Sequence, residues 1–517
     1  MNAVGNKKYA GVAVFVFFIF ITFLLRLDTF FLSSYDWDES LYFLGAQSLL
    51  NGNLPYLEIW DHKPPMIFAV HALAIGIFGD SYIAIRILSC IFISIGAFGL
   101  FLLLKRESSE LSTAGVFSGL LYILAMLLNG GKAANSELFY VPLIIYAFLL
   151  ATIFTSNFKN HKRWSLIFFS GVLLGIASSI NYLAALYSIP LGLYLLAIAY
   201  KSSITTTKNL TLHAAKLTVL GAAGPFILFA VIIFLYAYNG AIEDFIYANF
   251  TSNAQYIHVD NQEFSIKQLV LAFAGQFSAN WLTWAFAIFA TFCLNSNERK
   301  EYFGVLIIAF TWLIASTLAI LVSRLYWPHY FLQFSPAICI LAGLMMGKIF
   351  HAIKKDSLQL SVIAVSALLI GAFYNPLKNS AKELANILNQ RYIQNQMHFG
   401  DTPKKIAAHI SINTTADNYI YIVDYNPIIH ALSNTKVPTK FVFPPFIIGK
   451  TSAKMLPTDA STEVKYILSK KPIYIIKKHT RPAPDETDDT VYNLISQELN
   501  NYYLEKTIDG IDIYKLK

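Results

Sequence analysis

For its first three-quarters the chain alternates long apolar runs with short polar segments. Eleven runs can be marked, at roughly 11–31, 83–104, 111–128, 138–155, 164–180, 183–200, 217–238, 277–294, 302–322, 331–350 and 358–374. Most approach the roughly 20 residues that cross a hydrocarbon core of about 30 Å as a helix. They lack the polar–apolar alternation of barrel strands. The run 66–78, "MIFAVHALAIGIF", is shorter and fits a re-entrant or interfacial helix. The run 11–31 follows Lys7 and Lys8, continues to Phe31 and meets no small-x-small cleavage site. It reads as a retained first span, not a signal peptide.

Beyond residue 375 the pattern changes. Residues 376–409 are polar and helix-like. "NYIYIVDY" (418–425), "KFVFPP" (440–445), "PIYIIKK" (472–478) and "IDIYKLK" (511–517) predict strands, and 461–470 and 490–501 predict helices. The expectation is an α-helical polytopic membrane protein of about eleven spans, residues 1–375, with a small C-terminal α/β extracytoplasmic domain, residues 376–517. No repeat of the inverted transporter kind is evident.

Composition agrees with this division: the chain is 56% hydrophobic and only 14% charged, against about 25% charged in a soluble protein. The net charge of +8 suggests nucleic acid until its distribution is followed. With the N-terminus inside, the inner segments hold fifteen Lys and Arg, and the outer loops before residue 376 hold five: Lys63, Arg86, Lys132, Lys267 and Arg324. The basic excess is thus a positive-inside signal, and no nucleic-acid partner is needed. It places the chain in an inner (plasma) membrane, N-terminus cytoplasmic and C-terminal domain extracytoplasmic. Cys90, Cys293 and Cys339 each sit in an apolar run, with neither a disulfide framework nor a metal spacing.

The outer side is acidic, most densely in "YDWDESLYFLGAQSLLNGNLPYLEIWDHKPP" (35–65), within an outer loop at 32–82. Asp38 or Asp36 stands at the start of a short amphipathic helix, where either would serve as an N-cap. Asp61, His62 and Lys63 precede two prolines, where a lysine at the interface can simply snorkel. Glu137 opens the fourth run and suits a helix N-terminus. Arg324 stands at an outer boundary with Tyr326, Trp327, His329 and Tyr330, as an aromatic belt would have it. "NFT" (249–251) and "NTT" (413–415) match the glycosylation pattern, which matters only in a eukaryotic secretory pathway.

Taken together, "DES-x-Y", "GNLPY" and "DHKPP" resemble the first outer loop of the C-type superfamily of integral membrane glycosyltransferases, nearest to the bacterial protein O-mannosyltransferase-like and aminoarabinose transferase-like group. "FGDSYIAIRILS" (78–89), "NSELFYVP" (135–142) and "SRLYWPHYFLQFSP" (323–336) extend the resemblance. The middle spans match only in hydropathy. The resemblance implies an enzyme that moves a sugar, hexosyl or pentosyl, from a polyprenyl-phosphate donor to an extracytoplasmic acceptor with inversion. Such chemistry asks for a carboxylate base, negative charge near an oxocarbenium-like transition state, and cations on the leaving phosphate.

By this resemblance Asp38 is the base, Glu39 supports it, and Glu137 is a second acid for acceptor or metal. Lys63 and Arg324 hold the donor phosphate, with His329 and Tyr330 adding hydrogen bonds and Arg86 a lesser candidate. The resemblance leaves a divalent metal open, with His62 and Asp61 joined by Glu137 or His258, although no close ligand spacing shows such a site. Two other readings remain: a lipid-linked-sugar flippase or transporter, and an O-antigen ligase or polymerase. The first needs polar features at midplane, yet Arg26 and Asp28 lie near an outer end and only Pro190 and Pro225 interrupt spans. The second usually has its functional loops late in the chain.

Overall fold

The computed structural model describes residues 2–155, 163–201, 207–259, 265–323, 326–355, 357–482 and 487–517. The chain forms two compact units. One comprises Met1–Asp28, Ile87–Ile232 and Phe264–Lys382; the other comprises Thr29–Arg86, Ile233–Glu263 and Glu383–Lys517. The division at residue 375 is a separate proposal, about membrane and solvent. Compactness groups Thr29–Arg86 with the C-terminal segment.

Six helices among the described residues are long and apolar enough to cross a membrane: Tyr82–Glu107, Glu137–Thr155, Tyr182–Lys201, Ala214–Tyr238, Phe303–Ser323 and Pro328–Lys354. A seventh counts if Leu358–Ala372 and Tyr374–Ile393, bent by 72°, form one span. The expected count of eleven is therefore not confirmed. Shorter apolar helices stand at Ala10–Leu25, Ser109–Ala125, Ser165–Ile180 and Trp281–Cys293. Hydropathy overcounts because apolar residues continue past helix ends. Leu127 and Leu128 lie in a turn that leads to Asn129 (φ 55°) and Gly130 (φ 74°), left-handed positions that stop a helix.

Within the first unit, helices meet through small residues, the usual means of close approach where lipid supplies no hydrophobic drive. A Cβ on Gly343 would lie 2.0 Å from the Ser118 hydroxyl, and one on Gly171 would lie 2.0 Å from the Gly221 carbonyl oxygen. In this unit Arg26 is buried and donates to the carbonyls of Met126 (3.0 Å), Gly131 (2.7 Å) and Lys132 (3.0 Å). Lys132 pairs with Asp28 at 2.5 Å. These charges clasp the loop that leads to Glu137.

The second unit is built around a four-stranded sheet in the order β1-β2-β4-β3, with β1 at Ile420–Ile422, β2 at Tyr474–Lys478, β3 at Tyr502–Ile508 and β4 at Ile511–Leu516. β1 and β2 run parallel; β4 is antiparallel to both its neighbours. Ile406, Ile410, Ile420, Ile429, Ile476 and Ile513 form its core. Residues 440–445 form no strand; Pro444 opens a helix, Pro444–Ile448, as proline at a first helical turn allows. β3 was not legible because it is largely exposed and carries no apolar alternation.

The segment 32–82 is part of this same unit. Trp60 donates its backbone N–H to the Lys440 carbonyl at 2.9 Å and packs edge-on against Phe441 and Phe446, with ring centroids 5.5 and 4.8 Å away. Asp401 accepts from the Ser33 backbone (3.0 Å) and hydroxyl (2.6 Å). Ser40 donates to Asn426 at 2.7 Å. The stretch 35–65 is thus not a free loop but is tied down by backbone and side-chain bonds from the C-terminal segment.

Candidate functional site

The helix Trp37–Leu50 starts at Asp36, which has extended backbone (φ −146°, ψ 151°) and accepts from the Asp38 N–H at 3.3 Å. Asp36 therefore does the capping. Asp38, inside the first turn, is left to other work. Its Oδ2 lies 3.2 Å from Lys63 Nζ, and the two side chains are 18% and 15% exposed. Lys63 also stands 3.8 Å from Asp61 Oδ2 and 5.0 Å from the centre of the Tyr42 ring. One lysine thus faces two carboxylates, one wholly buried and one open to solvent.

Asp61 is fully buried. Its Oδ1 accepts from the His62 N–H at 2.8 Å, and His62 Nδ1 lies 3.1 Å from the same oxygen. Burial pushes this carboxyl up, but the Lys63 ammonium and the His62 contacts outweigh it and hold it below the usual aspartate value. The "DHK" backbone is fixed from a distant part of the chain. Asn253 donates to the His62 carbonyl at 2.9 Å, and the single proton of the Tyr56 hydroxyl is shared between the Lys63 carbonyl at 2.7 Å and Asn249 Oδ1 at 3.1 Å. Tyr56 has φ 78°, a left-handed conformation that a bulky residue keeps only when its surroundings impose it. Asn249 is 3% exposed and donates to the Phe245 carbonyl, so the "NFT" pattern here serves packing.

Glu39 and Arg86 are both buried and pair with each other. Arg86 also donates to the Thr29 carbonyl at 3.1 Å and lies over the Tyr35 ring. Arg86, considered for phosphate, thus lies within the core, joined to Glu39 and to the loop backbone. Glu39 sits beside Asp38 in sequence, yet its carboxylate is turned into that core.

The remaining candidates belong to the first unit. Glu137 is buried at the start of its helix, and the preceding Ser136 accepts from Asn181 at 3.2 Å. It lies within electrostatic reach of the Tyr140 and Tyr187 hydroxyls. His329 and Tyr330 are half-buried in the turn Pro328–Phe334, ring centroids 4.8 Å apart, and His329 Cβ is 3.7 Å from a Cβ placed on Gly130. That turn and the loop before Glu137 are neighbours within one unit. Arg324 and the His258 side chain lie outside the described residues. Among the described residues no three His, Cys, Asp or Glu side chains gather as a metal site. The Asp61 oxygens face His62 and Lys63.

The sequence singled out Asp38, Asp61, His62 and Lys63 because they share one loop, and the structure brings them together. Sequence reasoning missed Tyr56, Asn249 and Asn253, which act through backbone carbonyls that no motif displays. Asn249 stands in the π-helical turn Tyr247–Thr251, a backbone geometry that concentrates at functional sites and that the sequence does not display.

A family profile described as dolichyl-phosphate-mannose-protein mannosyltransferase matches residues 62–239. The match includes His62, Lys63 and Glu137 and begins after Asp38. No curated protein matches by sequence. Among solved structures, ArnT from Cupriavidus metallidurans bound to undecaprenyl phosphate is similar at 12% identity and TM-score 0.58, covering 97% of each chain. The archaeal oligosaccharyltransferase AglB from Archaeoglobus fulgidus, in complex with an inhibitory peptide and a dolichol-phosphate, is similar at 12% identity and TM-score 0.57, over 99% of this chain and 74% of its own. The chain thus shares the fold of these two structures, and its residues 62–239 match the dolichyl-phosphate-mannose-protein mannosyltransferase family model.

Proposed function

We propose that the protein transfers a sugar from a polyprenyl-phosphate carrier to a hydroxyl-bearing acceptor on the outer face of the membrane. The observation that carries this reading is the Asp38–Lys63 pair at 3.2 Å, a base and a cation side by side and partly open to solvent. The polyprenyl phosphates bound in the similar ArnT and AglB structures support it.

In the proposed step Asp38 takes the acceptor hydroxyl proton. The acceptor oxygen forms a bond to the anomeric carbon as the bond from that carbon to the phosphate oxygen breaks, with inversion. The electron pair leaves with the polyprenyl phosphate, whose charge Lys63 holds. Asp61, buried and anionic behind Lys63, holds the ammonium in place. Glu137, His329 and Tyr330 are proposed to contact acceptor or donor, with Arg324 a further phosphate ligand. Outward placement of the C-terminus and of these loops is part of the same proposal.

The test is mass spectrometry of envelope glycans and polyprenyl-phosphate sugars in a deletion strain complemented with wild type or Asp38→Asn. Accumulation of one lipid-linked sugar with Asp38→Asn, at wild-type membrane levels of the protein and with transfer reduced at least about 10²-fold, is expected. Full transfer by Asp38→Asn would remove the base assignment.

A further inference from the structure

The first unit contains a cavity of about 700 Å³ that the proposed chemistry does not use. It lies where two helices end: Tyr82–Glu107, whose last turn carries Lys105 and Arg106, and Ser335–Lys354, whose last turn carries His351 and Lys354. Lys105 and Lys354 both line it. Three hydroxyl side chains, Ser109, Ser112 and Thr113, line it from the start of the helix Ser112–Ala125. The rest of the wall is apolar, with Val14, Phe101, Phe117 and Phe350 among its residues.

The charges at this cavity are one-sided. No carboxylate lines it, and among the described residues neither lysine forms an ion pair. Glu107, the nearest acid in sequence to Lys105, is engaged elsewhere, accepting from the Gly304 N–H at 2.8 Å. Each ammonium rests near an aromatic ring: Lys105 is 5.2 Å from the centre of Phe101, and Lys354 is 5.9 Å from that of Phe350. The rings hold the stems of both lysines against the apolar wall. The positive end of the Ser112–Ala125 helix dipole offsets in part the negative ends of the two helices that finish there, and the lysines stand at those two ends as cations do.

A cavity that is cationic and hydroxyl-lined at its polar end, and aromatic and aliphatic along its walls, fits an amphiphile with a phosphate head. We propose that it binds an anionic glycerophospholipid, its phosphodiester between Lys105 and Lys354 with the serine and threonine hydroxyls as further donors, and its acyl chain along Val14, Phe117 and Phe350. This proposal is independent of the glycosyl-transfer reading, because it involves none of the residues placed in that chemistry.

The experiment is native mass spectrometry of the detergent-purified full chain, titrated with dioleoyl-phosphatidylglycerol or dioleoyl-phosphatidylcholine, with inorganic phosphate alone as a third arm. Wild type is expected to hold phosphatidylglycerol about tenfold more tightly than phosphatidylcholine. The double variant Lys105→Gln/Lys354→Gln should bring the two lipids to within about twofold, while Lys300→Gln, a surface control, keeps the preference. Absence of a headgroup preference in wild type overturns the proposal even if the double variant does not fold. So does a preference that survives in the folded double variant. Displacement of the lipid by inorganic phosphate at equal concentration also overturns it, since the site would then read phosphate alone.

Discussion

At Lys63 two carboxylates share one ammonium, and their different burial separates their roles. Asp61, wholly buried, depends on Lys63 for its charge; Asp38, partly exposed, is able to meet a substrate. Lys63→Met is expected to weaken polyprenyl-phosphate binding about tenfold or more, the worth of a charge-assisted hydrogen bond, and to lower thermal stability by leaving Asp61 buried without its cation. Adding Asp61→Asn should restore the melting temperature but not the binding. A double variant that regains binding would show that Lys63 acts only on the fold. The sign of the pH dependence follows from Asp61. Its folded value is depressed below 3.8, so its contribution is fully present above that pH and is lost as pH falls through the folded value. The melting-temperature gap between wild type and Asp61→Asn, followed from pH ~7 to ~3, should therefore be widest near neutrality and close in acid.

At the scale of elements, the buried Glu39–Arg86 pair joins the helix Trp37–Leu50 to the start of Tyr82–Glu107. Removing one partner of such a pair costs about 3–5 kcal/mol, whereas replacing both by apolar residues is often near neutral. Glu39→Gln is thus expected to lower the yield of monodisperse protein, and Glu39→Leu/Arg86→Leu to recover most of it, by size exclusion and melting. Equal loss of yield in both variants would speak against a pairing role. The π-helical turn Tyr247–Thr251 acts at a distance, by aiming Asn249 and Asn253 at the "DHKPP" segment. Asn253→Ala removes one hydrogen bond to the His62 carbonyl, worth about 1 kcal/mol. It should raise the donor KM several-fold with little change in stability; an unchanged KM would remove Asn253 from the positioning of Lys63.

For the whole molecule, the grouping of Thr29–Arg86 with Glu383–Lys517 has a consequence for truncation. Deleting residues 383–517 strips Ser33 of Asp401, Ser40 of Asn426, and Trp60 of Phe441 and Phe446. The loss of those aromatic contacts alone is comparable to a large-to-small core substitution, about 3–5 kcal/mol. The truncated chain is expected to aggregate or lose the loop's protection from protease. A monodisperse truncated chain with full transfer activity would show that the C-terminal segment is dispensable.

The sequence by itself determined the membrane character, the change of pattern past residue 375, and the loop that carries Asp36, Asp38, Asp61, His62 and Lys63, because hydropathy and local spacing are properties of neighbours along the chain. It also held the resemblance from which Asp38 is proposed as base. Only the tertiary structure decided that Asp36 is the cap and Asp38 is not, that Glu39 and Arg86 neutralise each other in a core, and that six helices, or seven, meet the length of a span among the described residues. Those outcomes depend on which groups, tens to hundreds of residues apart, come within a few ångströms. Ser33 and Asp401 are 368 residues apart in sequence and 2.6 Å apart in space. Burial assigns the roles of otherwise similar carboxylates, and burial exists only once the chain has folded.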